Sequence, residues 1–139
     1  MTAHTPVGKT KTQGWEFGIR RTFPITPEQA WELLMTSPGL DYLLGEGADL
    51  TFKKKAKYET DDGTTGEIRS FNAGSLLRLT WQPPQWDFAS TLQIRVTPAS
   101  KGTTITIHHE KLENGDQREQ MRKRWTKFLD QLDEMIKAK

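Results

Sequence analysis

The sequence predicts an α+β domain: an antiparallel sheet of about six or seven strands, covered on one face by a long C-terminal helix. Three observations carry this. From Asp116 to Lys139 the apolar residues Met121, Trp125, Phe128, Leu129, Leu132, Met135 and Ile136 recur at helical spacing and form one stripe. From Ala48 to His109, short stretches of alternating apolar and polar residues are separated by glycine, proline and asparagine turns. Each of those stretches has only one apolar face, so the sheet needs a cover on one side, and the last helix is the only element large enough to supply it.

Taken in order, the first fourteen residues form a polar tail with no hydrophobic segment, expected to be flexible and not a signal peptide. A single domain is expected over residues 15–139. Trp15, Phe17, Ile19 and Phe23 share one parity, which predicts a first strand with one buried face. Arg21 stands on that apolar parity, either at a bulge or as a buried guanidinium with a partner. A helix follows, with Thr26 as cap, Pro27 at the first position and Gln29 completing a capping box. Its expected buried side is Ala30, Trp31, Leu34 and Met35. Pro38 stops it, and a short second helix through Leu40, Tyr42, Leu43 and Leu44 ends at Gly45 and Gly47.

Leu50, Phe52, Ala56 and Tyr58 then share an inward parity, with a bend expected at Lys54. Asp62-Gly63 is a hairpin signal. The next strands place Ile68, then Leu77, Leu79 and Trp81, then Leu92, Ile94 and Val96, and last Ile105, Ile107 and His109 on the inner face. Pro83-Pro84 stiffens a loop that carries Trp86. On the last helix, Asp116 is the expected cap, with Glu119 three residues on, and Glu119/Lys123 and Asp133/Lys137 are paired at i,i+4.

Composition narrows the function. There is no cysteine, which removes thiol nucleophiles, disulfides, cysteine zinc sites and iron–sulfur clusters, and points to the cytoplasm. The formal charge is +2, from 20 basic and 18 acidic residues, too balanced for a nucleic-acid partner. No apolar run is long enough for membrane insertion. No nucleotide-binding loop or nucleophile elbow is present, and Gly45-Glu46-Gly47 leads into a strand where a dinucleotide site requires a helix. No cofactor and no metal are expected. His108 and His109 are strand neighbours and point to opposite faces, so they cannot share an ion.

The chain resembles the superfamily of START and Bet v 1-like (SRPBCC) domains, and within it bacterial proteins related to the C-terminal domain of the Hsp90 ATPase activator Aha1. The resemblance runs from Trp15 to the C-terminus. It rests on Arg21-Thr22-Phe23 before Thr26-Pro27-Glu28-Gln29-Ala30-Trp31, on Gly102 to His109, and on Trp125 of the last helix. Two departures bear on the space under that helix. Leu43-Leu44 stand where many relatives have a tryptophan, and Arg124 stands where many have a glycine. The resemblance implies a helix-grip fold, a curved sheet wrapped round the last helix, often with an apolar cavity between them. It implies little about function, because such folds host carriers, cyclases, receptors and chaperone cofactors.

Three functions are therefore carried forward. The first is non-enzymatic binding of a small hydrophobic or aromatic molecule between sheet and helix. Its expected lining is Met35, Tyr58, Ile68, Leu79, Trp81, Ile94, Ile107, His109, Met121, Trp125 and Phe128. Within it, His109 is either a ligand anchor or a core histidine bonded to a backbone group or to Arg21, and Trp81 and Trp125 offer indole N–H groups. Trp86 is expected to matter less to the ligand. The second function is a protein-interaction module resembling an Hsp90 co-chaperone domain. The third is an aromatase/cyclase-like enzyme, for which Arg21, Tyr58 and His109 are the available polar groups. The protein is expected as a monomer or homodimer. Lys53-Lys54-Lys55 read as edge protection, and Arg122, Lys123, Arg124 and Lys127 as the solvated side of the last helix.

Overall fold

The computed structural model describes residues 9–10 and 14–138. Its elements are β1 (Lys9–Thr10), β2 (Gly14–Phe23), α1 (Pro27–Met35), α2 (Gly39–Leu44), β3 (Lys57–Glu59), β4 (Thr65–Asn72), β5 (Leu76–Trp81), β6 (Ser90–Ala99), β7 (Gly102–Leu112) and α3 (Gly115–Lys137). The strands form one antiparallel sheet in the order β1-β2-β7-β6-β5-β4-β3. The chain thus places its first long strand beside its last, and the β3–β7 meander lies on one side of that seam. The helix-grip architecture expected from the sequence is present, with α3 laid across the inner face.

Alternation explains the core. Leu77, Leu79 and Trp81 of β5, Leu92, Ile94 and Val96 of β6, and Ile105, Ile107 and His109 of β7 are all buried. They meet Met121, Trp125, Phe128, Leu129 and Leu132 of α3, with Met135 and Ile136 packed at its end. At α1, Thr26 accepts from the Gln29 backbone and the Gln29 side chain returns to Thr26 N, which is the capping box read from the sequence.

Local expectations differ from the structure at five places. The buried side of α1 is Ala30, Leu33, Leu34 and Met35, while Trp31 is half-exposed and packs on Phe71 with ring centroids 6.0 Å apart. Trp31 lies at the stripe's margin, where Leu33 buries in its place. The cap of α3 is Asn114, which accepts from Gln117 N at 2.9 Å, and Asp116 falls within the first turn. Asn114 lies two residues after the end of β7, so the helix begins two residues earlier than its charge pattern suggests. Glu119 pairs with Arg122 rather than Lys123, whereas Asp133 and Lys137 do pair, at 3.0 Å.

The stretch before β3 is mostly irregular. A turn at Lys53–Lys55, with φ +73° at Lys55, leaves only Lys57–Glu59 as strand and Phe52 exposed. The bend expected at Lys54 is thus present, and the inward parity of Phe52 is not. Last, Lys9 and Thr10 of the expected tail pair with Trp15 and Gly14. The remainder of that tail lies outside the described residues.

Candidate functional site

Two tryptophans on different elements define the site. Trp81 ends β5 and Trp125 sits mid-way along α3, and their ring centroids are 6.0 Å apart. Their indole N–H groups are both taken up inside the protein. Trp81 Nε1 donates to the Leu44 carbonyl at 3.2 Å, tying β5 to the end of α2. Trp125 Nε1 donates to His109 Nδ1 at 3.1 Å.

An indole N–H only donates, so His109 Nδ1 is the bare nitrogen and Nε2 carries the proton. Nε2 then donates to Ser90 Oγ at 2.8 Å, and Ser90 passes its own hydrogen to the Trp81 carbonyl. The chain of bonds runs from the Trp125 indole to the Trp81 carbonyl, and every member is satisfied. Burial drives the His109 pKa from 6.5 down to about 3, with the Arg124 charge adding to the shift, so the ring is neutral near pH 7. His109 is therefore a core histidine, but its partners are Ser90 and Trp125 instead of a backbone group or Arg21. Arg21 reaches Asp130 of α3 at 2.8 Å and remains partly exposed. The bulge that its parity raised lies instead between Trp15 and Phe17.

All eleven residues expected to line the ligand are buried. Trp81 and Met121 face a recess of about 170 Å³. Tyr58 donates to the Thr80 carbonyl at 2.7 Å, and burial holds its phenol protonated well above the usual range. Ile68, Leu79, Ile94, Ile107, Trp125 and Phe128 are at most 1% exposed and pack the interior. Met35 is buried at the end of α1.

The recess opens between the end of α2, the loops before β4 and after β5, and the first half of α3. Trp81, Trp86 and Met121 form its apolar walls; Asp62, Thr64, Gln85, Gln120 and Arg124 supply polar atoms. Trp86, which the sequence expects to matter less to a ligand, is itself buried in the wall of the recess. It is 8% exposed, meets Trp81 edge-on at 5.5 Å and stacks on Phe88 at 5.4 Å. Pro83 and Pro84 fold their loop back so that the ring lies over the inner end of β5, and Gln82 holds the Trp86 carbonyl at 2.8 Å.

Arg124 is the residue that the sequence reading misplaced. Arg122, Lys123 and Lys127 are exposed, but Arg124 is half-buried. Its guanidinium stands 4.9 Å from the Trp81 ring and 5.1 Å from the Trp125 ring, and donates to the Leu43 carbonyl at 3.1 Å. Its Nε is buried and has no hydrogen-bond partner among the described residues. Burial lowers its pKa, while the Asp62 charge opposes that. Asp62 itself is kept acidic by hydrogen bonds from Thr60 and Thr64. The signal was available: position 124 is three after Met121 and four before Phe128, on the margin of the buried stripe.

A curved antiparallel sheet gripping one long helix, with a small recess at the helix's N-terminal half, defines a helix-grip domain. The chain belongs to the family described as Activator of Hsp90 ATPase homolog 1-like protein, whose profile matches residues 24–137. No curated protein matches it. Among solved structures it is similar to a protein of Mesorhizobium loti (18% identity, TM-score 0.75, covering 88% of this chain and 97% of that one). It is also similar to an HSP90 activator from Plasmodium falciparum (20% identity, TM-score 0.74, 88% and 96% covered). A third likeness is to the Aha1 dimer from Colwellia psychrerythraea (12% identity, TM-score 0.69, 84% and 92% covered). At these identities the likenesses show the fold.

Proposed function

We propose that the protein binds, without chemical conversion, a small aromatic molecule bearing an acid or acceptor group in the recess beneath Trp81, Trp86 and Arg124. The observation that carries this is Arg124, a cation drawn over two indole faces with a buried Nε left without a hydrogen-bond partner among the described residues. Arg124 lines the recess, and its guanidinium charge there would attract a ligand carboxylate or other acceptor. The recess volume is near that of an engineered cavity of about 150 Å³ that takes benzene, so one aromatic ring is the expected scale. Binding is favoured over catalysis because the polar groups offered for chemistry are spent: His109 and Tyr58 bond internally, and Arg21 is paired.

Titration calorimetry with benzoate and toluene tests this reading. Benzoate is expected to bind the wild type and to lose at least tenfold in affinity in Arg124→Met, as loss of a charge-assisted hydrogen bond costs about 1.5–3 kcal/mol. Toluene is expected to change little. Equal benzoate affinity in the two proteins would overturn the assignment.

A second reading, a protein-interaction module in the cytoplasm, is favoured by a different surface. Phe52 is 37% exposed and packs on Phe71 at 5.4 Å, which continues to Trp31, beside the exposed Lys53, Lys54 and Lys55. The Plasmodium falciparum relative is described as an HSP90 activator, which accords with this alternative.

A further inference from the structure

The outer face of the sheet, opposite α3, carries a cluster that the recess does not use. We propose that Glu16, His108 and Glu110 form a site for a divalent transition cation of the zinc class. Their ligand atoms all lie within 4.8 Å of one another. His108 Nδ1 is 3.3 Å from Glu110 Oε2, and His108 Nε2 is 3.7 Å from Glu16 Oε1.

The backbone explains why these three meet. His108 and Glu110 are two apart on β7 and share its outward parity. Between Trp15↔Leu112 and Phe17↔His109 the register shifts by one residue, and Lys111 takes φ +63°. Glu16 therefore lies opposite the bulge, beside Glu110, instead of one pair further along. Gly18 stands directly across from His108 on β2.

The surroundings suit an ion. Glu110 is 7% exposed, and its Oε1 accepts from Arg78 Nη2 at 2.7 Å; Arg78 Nη1 in turn donates to Gln93 at 3.1 Å. That pair fixes the carboxylate and leaves Oε2 facing His108, the outer support that metal ligands require. Glu16 and Glu110 bring two carboxylates to the ring, with Arg78 bound to one oxygen of Glu110. Ligands about 2.1 Å from a tetrahedral ion stand about 3.4 Å apart, so His108 Nδ1 and Glu110 Oε2 already have that spacing. Glu16, partly exposed, swings in as the third ligand, and solvent takes the fourth position. An imidazole beside carboxylates selects zinc-class ions over magnesium or calcium.

The test is titration of the chelator-treated full chain with Zn²⁺, Co²⁺ and Mg²⁺ by calorimetry, with Co²⁺ absorption reporting geometry. One Zn²⁺ per chain is expected, with a tetrahedral Co²⁺ spectrum and no Mg²⁺ binding. His108→Ala and Glu16→Gln, both at partly exposed positions, are each expected to weaken Zn²⁺ at least tenfold while circular dichroism stays unchanged. Zn²⁺ affinity unaltered in His108→Ala, or no binding by the wild type, would overturn the proposal and leave the cluster as an ion-pair network only.

Discussion

Acid should unfold this protein partly through one ring. His109 is held neutral in the core, with its pKa lowered from 6.5 to about 3 chiefly by burial. In the unfolded chain the ring takes a proton below about pH 6.5, whereas the folded chain refuses it down to about pH 3. The unfolded state therefore binds more protons throughout that window. Stability from this group is fully present above pH 6.5 and is lost as the pH falls toward 3. The loss is on the order of 3 kcal/mol by pH 4.5, since each pH unit in that window removes a little over 1 kcal/mol. Carboxylates also lose stability in acid, so the assay is a difference. Urea unfolding of the wild type and of His109→Phe is measured from pH 7.5 to 4.5. The variant loses two internal bonds, to Trp125 and to Ser90, at a cost that does not depend on pH. The stability advantage of the wild type should shrink by roughly 3 kcal/mol across the range. Carbon-detected NMR of the His109 ring should show the neutral form at pH 5 in the wild type. A constant difference, or a ring that titrates near 6.5, would refute the buried neutral relay.

Two further perturbations read the packing directly. Trp125→Ala removes a ring that is 0% exposed, and should cost about 3–5 kcal/mol in urea unfolding; a loss below about 1 kcal/mol would mean that α3 is misregistered. Gly66→Ala places a Cβ 2.0 Å from the Thr80 carbonyl oxygen and 2.4 Å from the Tyr58 hydroxyl, so the β4 strand must shift; a melting temperature within 1–2 °C of wild type would contradict that contact.

Periodicity made the frame legible. The stripe from Met121 to Ile136 and the alternation in β5, β6 and β7 depend only on which face of an element is apolar, and the folded chain keeps both. The candidate site was less legible because its decisive features depend on what neighbouring elements bring. Arg124 looks like a surface cation within its own helix, and only the carbonyl of Leu43 and the indoles of Trp81 and Trp125 make it part of the interior. Trp86 sits in a proline-rich loop, and its burial comes from the way that loop folds onto Trp81. The grouping of Glu16 with Glu110 required a register shift at Lys111 that alternation does not reveal.

The most direct test of the ligand recess is an NMR titration of nitrogen-labelled protein with benzoate, following the five tryptophan indole N–H signals and the Arg124 Nε–H. Trp81, Trp86 and Arg124 line the recess, whereas Trp31 lies against Phe71 elsewhere on the surface. The Trp81, Trp86 and Arg124 signals should shift together along one saturable isotherm, with Trp31 unmoved. Shifts confined to Trp31, or no saturable change at Arg124, would contradict the account.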